Sequence, residues 1–232
     1  MKKLFKNFSR FVLKIILLLL IMTTSWVLLY RYVNPPVTPL MVIRYLESDG
    51  QSRRILKTWK DYDSISVDMA LAVIAAEDQK FFEHPGFDFN AIRGAAIDNI
   101  KEDRIKGAST ITQQVAKNVF LWPKRSWLRK GAEAYFTILV ETFWSKKRIL
   151  EVYLNVVEMG DGIYGAERAS QIYFNKPSSK LTKDEAALLA AILPSPRRMS
   201  PVNPSSYVNN RRQWIRDQME NIGNLRINTN DL

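Results

Sequence analysis

The chain has 232 residues, with 34 Lys+Arg against 23 Asp+Glu, no cysteine and one histidine. Zero cysteine excludes disulfides, thiolate nucleophiles and Cys-based zinc sites, and the lone His84 excludes H-E-x-x-H metal sites. Apolar residues at 47% and charged residues at 25% are globular averages, while a net charge of +11 points to an anionic partner: nucleic acid, a membrane surface or an acidic substrate.

Lys2, Lys3, Lys6, Arg10 and Lys14 put +5 into the first 14 residues, with no acid among them. Phe11 to Tyr30 follows, apolar except for Lys14 and Thr23-Thr24-Ser25; about 20 residues at 1.5 Å rise span the roughly 30 Å of a bilayer core. Trp26, Tyr30 and Tyr32 suit an interfacial aromatic belt at its far end. Basic residues precede the span and almost none follow it closely, so the amino terminus is expected in the cytoplasm and the chain from about Asn34 outside the inner or plasma membrane. A cleaved signal peptide shares the basic start, but no A-x-A-like site ends this longer run, which favours a retained anchor. The expected organisation is a basic tail (1–10), a transmembrane helix (11–30), a juxtamembrane linker (31–64), one catalytic-sized domain (65–222) and a short tail (223–232).

Asn34-Pro-Pro-Val-Thr-Pro reads as a stiff exit from the membrane. Met41–Tyr45 and Ile55–Trp59, apolar or β-branched runs around Asp49-Gly50, predict a small hairpin. From Ser66 the pattern is helical, with Met69, Val73 and Ala76 at helical spacing. Thr110–Gln113 and Thr182–Glu185 match capping boxes. Phe136, Leu139, Val140 and Phe143 form one apolar stripe, and Ile149, Leu150, Tyr153, Leu154 and Val157 another. The expected fold is mostly α, a single domain behind one anchor.

Three segments are polar where a core-facing helix should not be. Glu77-Asp78 closes the apolar run Ala70–Ala76 and leads to His84-Pro85-Gly86. A carboxylate behind such a run is partly desolvated, which raises its pKa toward that of a useful base; the plainer reading is a polar helix end, although acids there oppose the helix dipole. Gly107-Ala-Ser109-Thr110 opens the helix carrying Gln113, Gln114 and Lys117, which is either a phosphate-binding turn with a cation one helical turn on or an ordinary capped helix. Lys124-Arg125-Ser126-Trp127-Leu128-Arg129-Lys130 precedes Glu133, and Arg129–Glu133 is either a surface i,i+4 pair or part of a cation cluster able to hold a diphosphate. Phe120-Leu121-Trp122-Pro123 suits either core packing or an interfacial patch.

Taken in order, these segments resemble the peptidoglycan glycosyltransferase family, in its monofunctional branch. The likeness runs through Glu77-Asp78-x-x-Phe81-x-x-His84-x-Gly86-x-Asp88, Gly107 to Asn118, Arg129-Lys130-x-x-Glu133, Lys147 to Asn155 with Gly160 and Gly165, and Leu181-Thr-x-x-Glu185 to Ala190 ahead of Pro194. Met159 stands where the family more often has an aromatic residue. The resemblance implies a lysozyme-like helical lobe with a smaller membrane-associated jaw. It implies an enzyme that polymerises lipid II into β-1,4-linked glycan strands, inverting the anomeric centre and releasing undecaprenyl diphosphate. By the same resemblance Glu77 is the base and Glu133 the second catalytic carboxylate, while Lys117, Arg125 and Arg129 grip the diphosphate. Asp78, Ser109, Thr110, Gln113 and Gln114 line the cleft. A divalent cation, Mg2+ or Mn2+, is implied as an aid to the diphosphate, and the growing strand, membrane lipids and other cell-wall synthases as partners. No S-x-x-K occurs, so transpeptidase activity is not expected. A tethered lytic transglycosylase, which cleaves glycan, is the rival enzyme, and an inactive scaffold the rival of another class; nucleic-acid binding fails on compartment.

Overall fold

The computed structural model describes residues 2–48, 53–102, 109–124 and 126–224, and the chain forms two compact units, 1–34 and 35–232. The first unit is α1 (Lys2–Tyr32), of which Lys6–Tyr32 is long and apolar enough to cross a membrane. It stops before the proline-rich segment, where the missing N–H groups cannot continue a helix.

The second unit contains α2 (Pro39–Glu47), α3 (Val67–Glu77), α4 (Phe89–Glu102), α5 (Ile111–Phe120), α6 (Trp127–Phe143), α7 (Lys146–Val156), α8 (Ala166–Phe174), α9 (Lys183–Ala191) and α10 (Ser206–Asn224). Three short strands, β1 (Leu56–Lys57), β2 (Glu158–Gly160) and β3 (Ile163–Tyr164), make a small sheet in the order β1-β3-β2. β3 runs parallel to β1, with Leu56 opposite Ile163, and antiparallel to β2. The architecture is the mostly α one expected.

The predicted hairpin does not form. Residues 39–47 are helical because Thr38 caps them, its Oγ1 accepting from the Met41 N–H at 3.4 Å, and Pro39 occupies a first-turn position where its missing N–H is harmless. α2 packs on α5 and buries Leu40 and Met41. Leu56 and Lys57 pair with β3 instead, a partner far along the chain that local periodicity cannot reveal. The expected turn Asp49-Gly50 lies outside the described residues.

Both capping boxes are formed, at Thr110/Gln113 and Thr182/Glu185. Ser66 stands at the α3 N-cap, but its hydroxyl donates to the Leu181 carbonyl at 3.2 Å and so ties α3 to the start of α9. The α7 stripe is buried throughout, and Phe136 and Val140 of the α6 stripe are buried while Leu139 and Phe143 are half-buried. Phe120 stacks on Phe136 with centroids 4.7 Å apart. α3 lies against α9 and α10, and the small residues Ala186, Ala187, Ala190 and Ala191 let the helices approach closely. This packing carries the carboxyl end of α3 to the amino end of α5, where the polar residues collect.

Behind this core, Gly165 adopts φ +80°, and a Cβ there would stand 2.8 Å from the Asn155 carbonyl oxygen. Buried Glu167 accepts from the Ser178 N–H at 2.8 Å, the Ser178 hydroxyl at 2.6 Å and the Gln171 amide at 2.7 Å. Burial alone would raise its pKa, but these donated bonds outweigh burial and the net shift is downward. Glu167→Ala should therefore cost about 2–4 kcal/mol, read from urea unfolding of the full chain in detergent, because it strands the Ser178 donors. Since the folded pKa lies below the unfolded one, the contribution is complete above the ordinary glutamate range and is lost as pH falls through the folded value. The gap between wild type and variant should close in acid.

Candidate active site

Glu77 is the last residue of α3 and Asp78 its C-cap, so the chain turns away just as the two carboxylates emerge. Asp78 is fully engaged: one oxygen meets His84 Nε2 at 2.8 Å and the other accepts from the Ile111 N–H, in the first turn of α5, at 3.0 Å. Burial pushes its pKa up, against the pull of His84 and the α5 amide. Asp78 is thus a brace between the turn and α5. Lys146 completes that brace, donating to the His84 carbonyl at 2.7 Å and to Glu141 at 2.8 Å, which also accepts from Thr112 at 2.5 Å.

Glu77 is held differently. Its Oε2 accepts from Gln114 Nε2 at 2.7 Å, and Gln114 Oε1 accepts from the Tyr153 hydroxyl at 3.3 Å. The fully buried Tyr153, its pKa raised well above the usual value by burial, faces the amide as a neutral donor and so fixes which end of Gln114 meets the carboxylate. Among the described residues, Oε1 of Glu77 has one ion-pair contact, Arg211 Nη2 at 3.7 Å, and no hydrogen bond. Burial raises the Glu77 pKa, opposed by the Gln114 bond and by Arg211 and Lys117. An oxygen without a hydrogen bond on a carboxyl of raised pKa is what a general base needs.

The capping box at the start of α5 uses Thr110 and Gln113, and the Thr110 hydroxyl also donates to the Gly86 carbonyl at 2.7 Å. Gly86 sits at φ +88° with Glu141 and Thr137 side chains 2.8 Å from any added Cβ, so the turn admits only glycine. Ser109, exposed, precedes the box. One turn beyond Gln113, Lys117 has no hydrogen-bond or ion-pair partner among the described residues, and burial lowers its pKa. Across from it Glu133, only 3% exposed, is held by Arg129 through Oε2 and by Lys130 through Oε1. The Arg129–Glu133 pair is therefore buried, not a surface i,i+4 pair. Its helix, α6, is capped by Ser126, whose hydroxyl accepts from the Arg129 N–H at 3.1 Å. Arg125 lies outside the described residues.

The cleft has two chambers that meet at Ser109. One, about 440 Å³, is lined by Glu77, Asp78, Asp88, Thr110 and Trp214 among others; the second, about 570 Å³, by Gln113, Gln114, Lys117, Arg129, Lys130 and Glu133. The described members of the predicted site thus come together in one cleft. Sequence reasoning missed Arg211 and Trp214, both on α10, and Arg44 and Glu158, which line the second chamber. None belongs to a local motif; the only available signal was the amphipathic pattern of α10.

The implied divalent cation fits poorly. Both oxygens of Glu133 are already occupied by cations, and no group of three or more His, Asp or Glu suited to a metal exists among the described residues. Of Phe120-Leu121-Trp122-Pro123, Phe120 and Leu121 are core and Trp122 is 37% exposed; beyond that segment Trp127 is 93% and Leu128 76% exposed.

Residues 45–220 match the family model described as Transglycosylase. A protein of Stutzerimonas stutzeri (strain A1501) named biosynthetic peptidoglycan transglycosylase is 51% identical over 212 residues, 90% of this chain and 88% of its own. Proteins of the same name from Bdellovibrio bacteriovorus (strain ATCC 15356 / DSM 50701 / NCIMB 9529 / HD100) and Pseudomonas fluorescens (strain Pf0-1) are 50% identical over 217 residues and 53% identical over 199. They cover 93% and 85% of this chain, and 87% and 83% of their own lengths.

Burial disfavours the charged form of Lys117, which has no ion pair among the described residues, so Lys117→Met should stabilise the fold by about 1 kcal/mol, seen as a higher urea midpoint of the full chain in detergent. A lower midpoint would mean that Lys117 is structural.

Proposed function

Because the chain belongs to the transglycosylase family, we propose that it polymerises lipid II into β-1,4-linked peptidoglycan glycan strands, inverting the donor anomeric carbon and releasing undecaprenyl diphosphate. The single observation that carries the mechanism is the division of the cleft: a base in one chamber, cations in the next.

The donor sugar is α-linked to diphosphate and the product is β-linked, so one displacement needs a base on the acceptor hydroxyl and charge stabilisation on the leaving group. Glu77 takes the proton from the 4-hydroxyl of the incoming lipid II while that oxygen attacks the anomeric carbon of the donor. The bond between the anomeric carbon and the diphosphate oxygen breaks with its electron pair passing to that oxygen, and the departing diphosphate, its charge raised from two negatives to three, is received by Lys117, Arg129 and Lys130. Glu133 keeps Arg129 and Lys130 aimed into the chamber, and Arg125 adds a further cation to the grip. Ser109, Thr110, Gln113 and Gln114 line the passage between the reacting groups, and Asp78 holds the turn.

We assign Phe11–Tyr30 within α1 to a retained single-pass anchor, the basic tail facing the cytoplasm and the catalytic unit the outer side. Both substrates carry polyprenyl tails, so an anchored enzyme meets them in the same bilayer. The membrane-associated jaw is assigned to α4 and the α5–α6 turn, where Phe89 (72% exposed), Trp127 and Leu128 are exposed apolar side chains. Other cell-wall synthases are natural partners at such a surface.

The full-length protein in detergent should convert lipid II to polymer and leave finished glycan intact. Cleavage of glycan without polymerisation would establish the lytic reading instead. Glu77→Gln should lower polymerisation about 10²–10⁴-fold. Because burial raises the Glu77 pKa, wild-type kcat/KM should fall on the acid side from a pH above the ordinary glutamate range, as the base becomes protonated. A variant retaining wild-type rate would remove Glu77 from the role of base.

A further inference from the structure

α10 lies past the last of the motifs quoted from the sequence, which ends ahead of Pro194, yet one flank of it reaches the catalytic end of α3. Val208, Ile215 and Met219 form its buried seam against α3 and α9. On one flank Arg212 and Arg216 both bind Asp184 of α9, at 3.0 and 3.1 Å, and fix the helix in place. On the other flank, one residue before Arg212, Arg211 extends Nη2 to the Ala76 carbonyl at 3.4 Å and to Glu77 Oε1 at 3.7 Å. Arg211 has no other ion-pair partner among the described residues, and its buried Nε has no hydrogen bond. Glu77 is therefore approached from two sides, one oxygen by the neutral Gln114 amide and the other by this guanidinium.

We propose that Arg211 is a positioning residue for Glu77: it draws Oε1 toward the acceptor chamber and keeps the carboxylate ionised until substrate arrives. The proposal rests on the polymerase reading for its consequence and on the geometry for the pairing itself. The charged groups with the largest bearing on Glu77 are Arg211 from α10, Lys117 from α5 and Asp78 beside it, with the Tyr153 hydroxyl of α7 behind Gln114, while Lys80, Asp88 and Asp98 line the same chamber. The charged residues of α9, which also packs on α3, are engaged elsewhere, Lys183 with Glu220, Asp184 with the two arginines and Glu185 with Lys176. Of the two cations, Lys117 faces the diphosphate, so its charge is compensated once the donor binds. Arg211 is left to hold the base in its active form. The acceptor's hydroxyl then displaces the guanidinium from Oε1 without losing its electrostatic effect.

The test compares pH profiles of polymerisation by the full chain for wild type, Arg211→Gln, Arg211→Lys and Arg212→Gln. Arg211→Gln should move the acid limb of kcat/KM up by about 1 pH unit, so that activity falls roughly tenfold on the acid side and recovers on the alkaline plateau. Arg211→Lys should keep the limb near wild type, because the charge is retained. Arg212→Gln loosens α10 from α9 and should lower the thermal midpoint without moving the limb. An unmoved limb in Arg211→Gln, or a loss uniform with pH and equal to that of Arg212→Gln, would overturn the proposal. Carboxyl 13C NMR of the full chain, with the Glu77 signal identified by its loss in Glu77→Gln, gives a readout independent of turnover. The Glu77 pKa should be higher in Arg211→Gln, and an equal value in both proteins overturns the pairing. If wild type makes no polymer, the polymerase reading falls while the NMR titration still decides the pair.

Discussion

A base and a diphosphate grip must share one cleft without neutralising each other. Lys117 and Glu77 feel each other's charge, and a direct ion pair would disable both. The structure avoids it by giving each a different neighbour. Glu77 takes a neutral hydrogen bond from Gln114, whose orientation is enforced by the Tyr153 hydroxyl. The second carboxylate, Glu133, absorbs Arg129 and Lys130, so the two cations are held in place and Lys117, half-buried, has no ion pair among the described residues. Desolvation supplies the rest: it makes Glu77 a better base and raises the cost of leaving Lys117 charged, a cost recovered when an anion enters the chamber.

That separation depends on rigid supports. Asp78, His84, Lys146, Glu141 and Thr112 form a continuous polar brace from the turn after α3 to α5, α6 and α7. The Thr110 hydroxyl secures the same turn through the Gly86 carbonyl, where the positive φ leaves no room for a side chain. The capping box therefore has two duties, starting α5 and fixing the distance between the two polar segments. The core beneath is small-residue packing of α9 on α3 and the buried face of α7. Together they set where α3 ends, and Tyr153 of the α7 face reaches from that core to Gln114 in the cleft.

Much of this was legible in the sequence because it is local. Capping boxes, apolar stripes and the apolar run ending in Glu77-Asp78 are written within a few residues, and each appears where its pattern predicts. What failed was non-local. Met41–Tyr45 became part of a helix because Thr38 and Pro39 start one, and β1 found β3 across the chain. Arg129–Glu133 looks the same in sequence whether it lies on the surface or is buried; only the packing of α6 on α5 decides. Arg211 was invisible for the same reason, since one arginine among three on α10 carries no mark of the carboxylate it will meet.

The central claim is a division of labour between the two chambers, and inorganic diphosphate probes it without any turnover. Calorimetric titration of the full chain in detergent should show binding that Lys117→Met weakens at least about tenfold, as loss of a charge-assisted contact in a desolvated chamber requires. Glu77→Gln should leave the affinity within about twofold of wild type. Equal weakening by the two substitutions, or no weakening by Lys117→Met, would contradict the account.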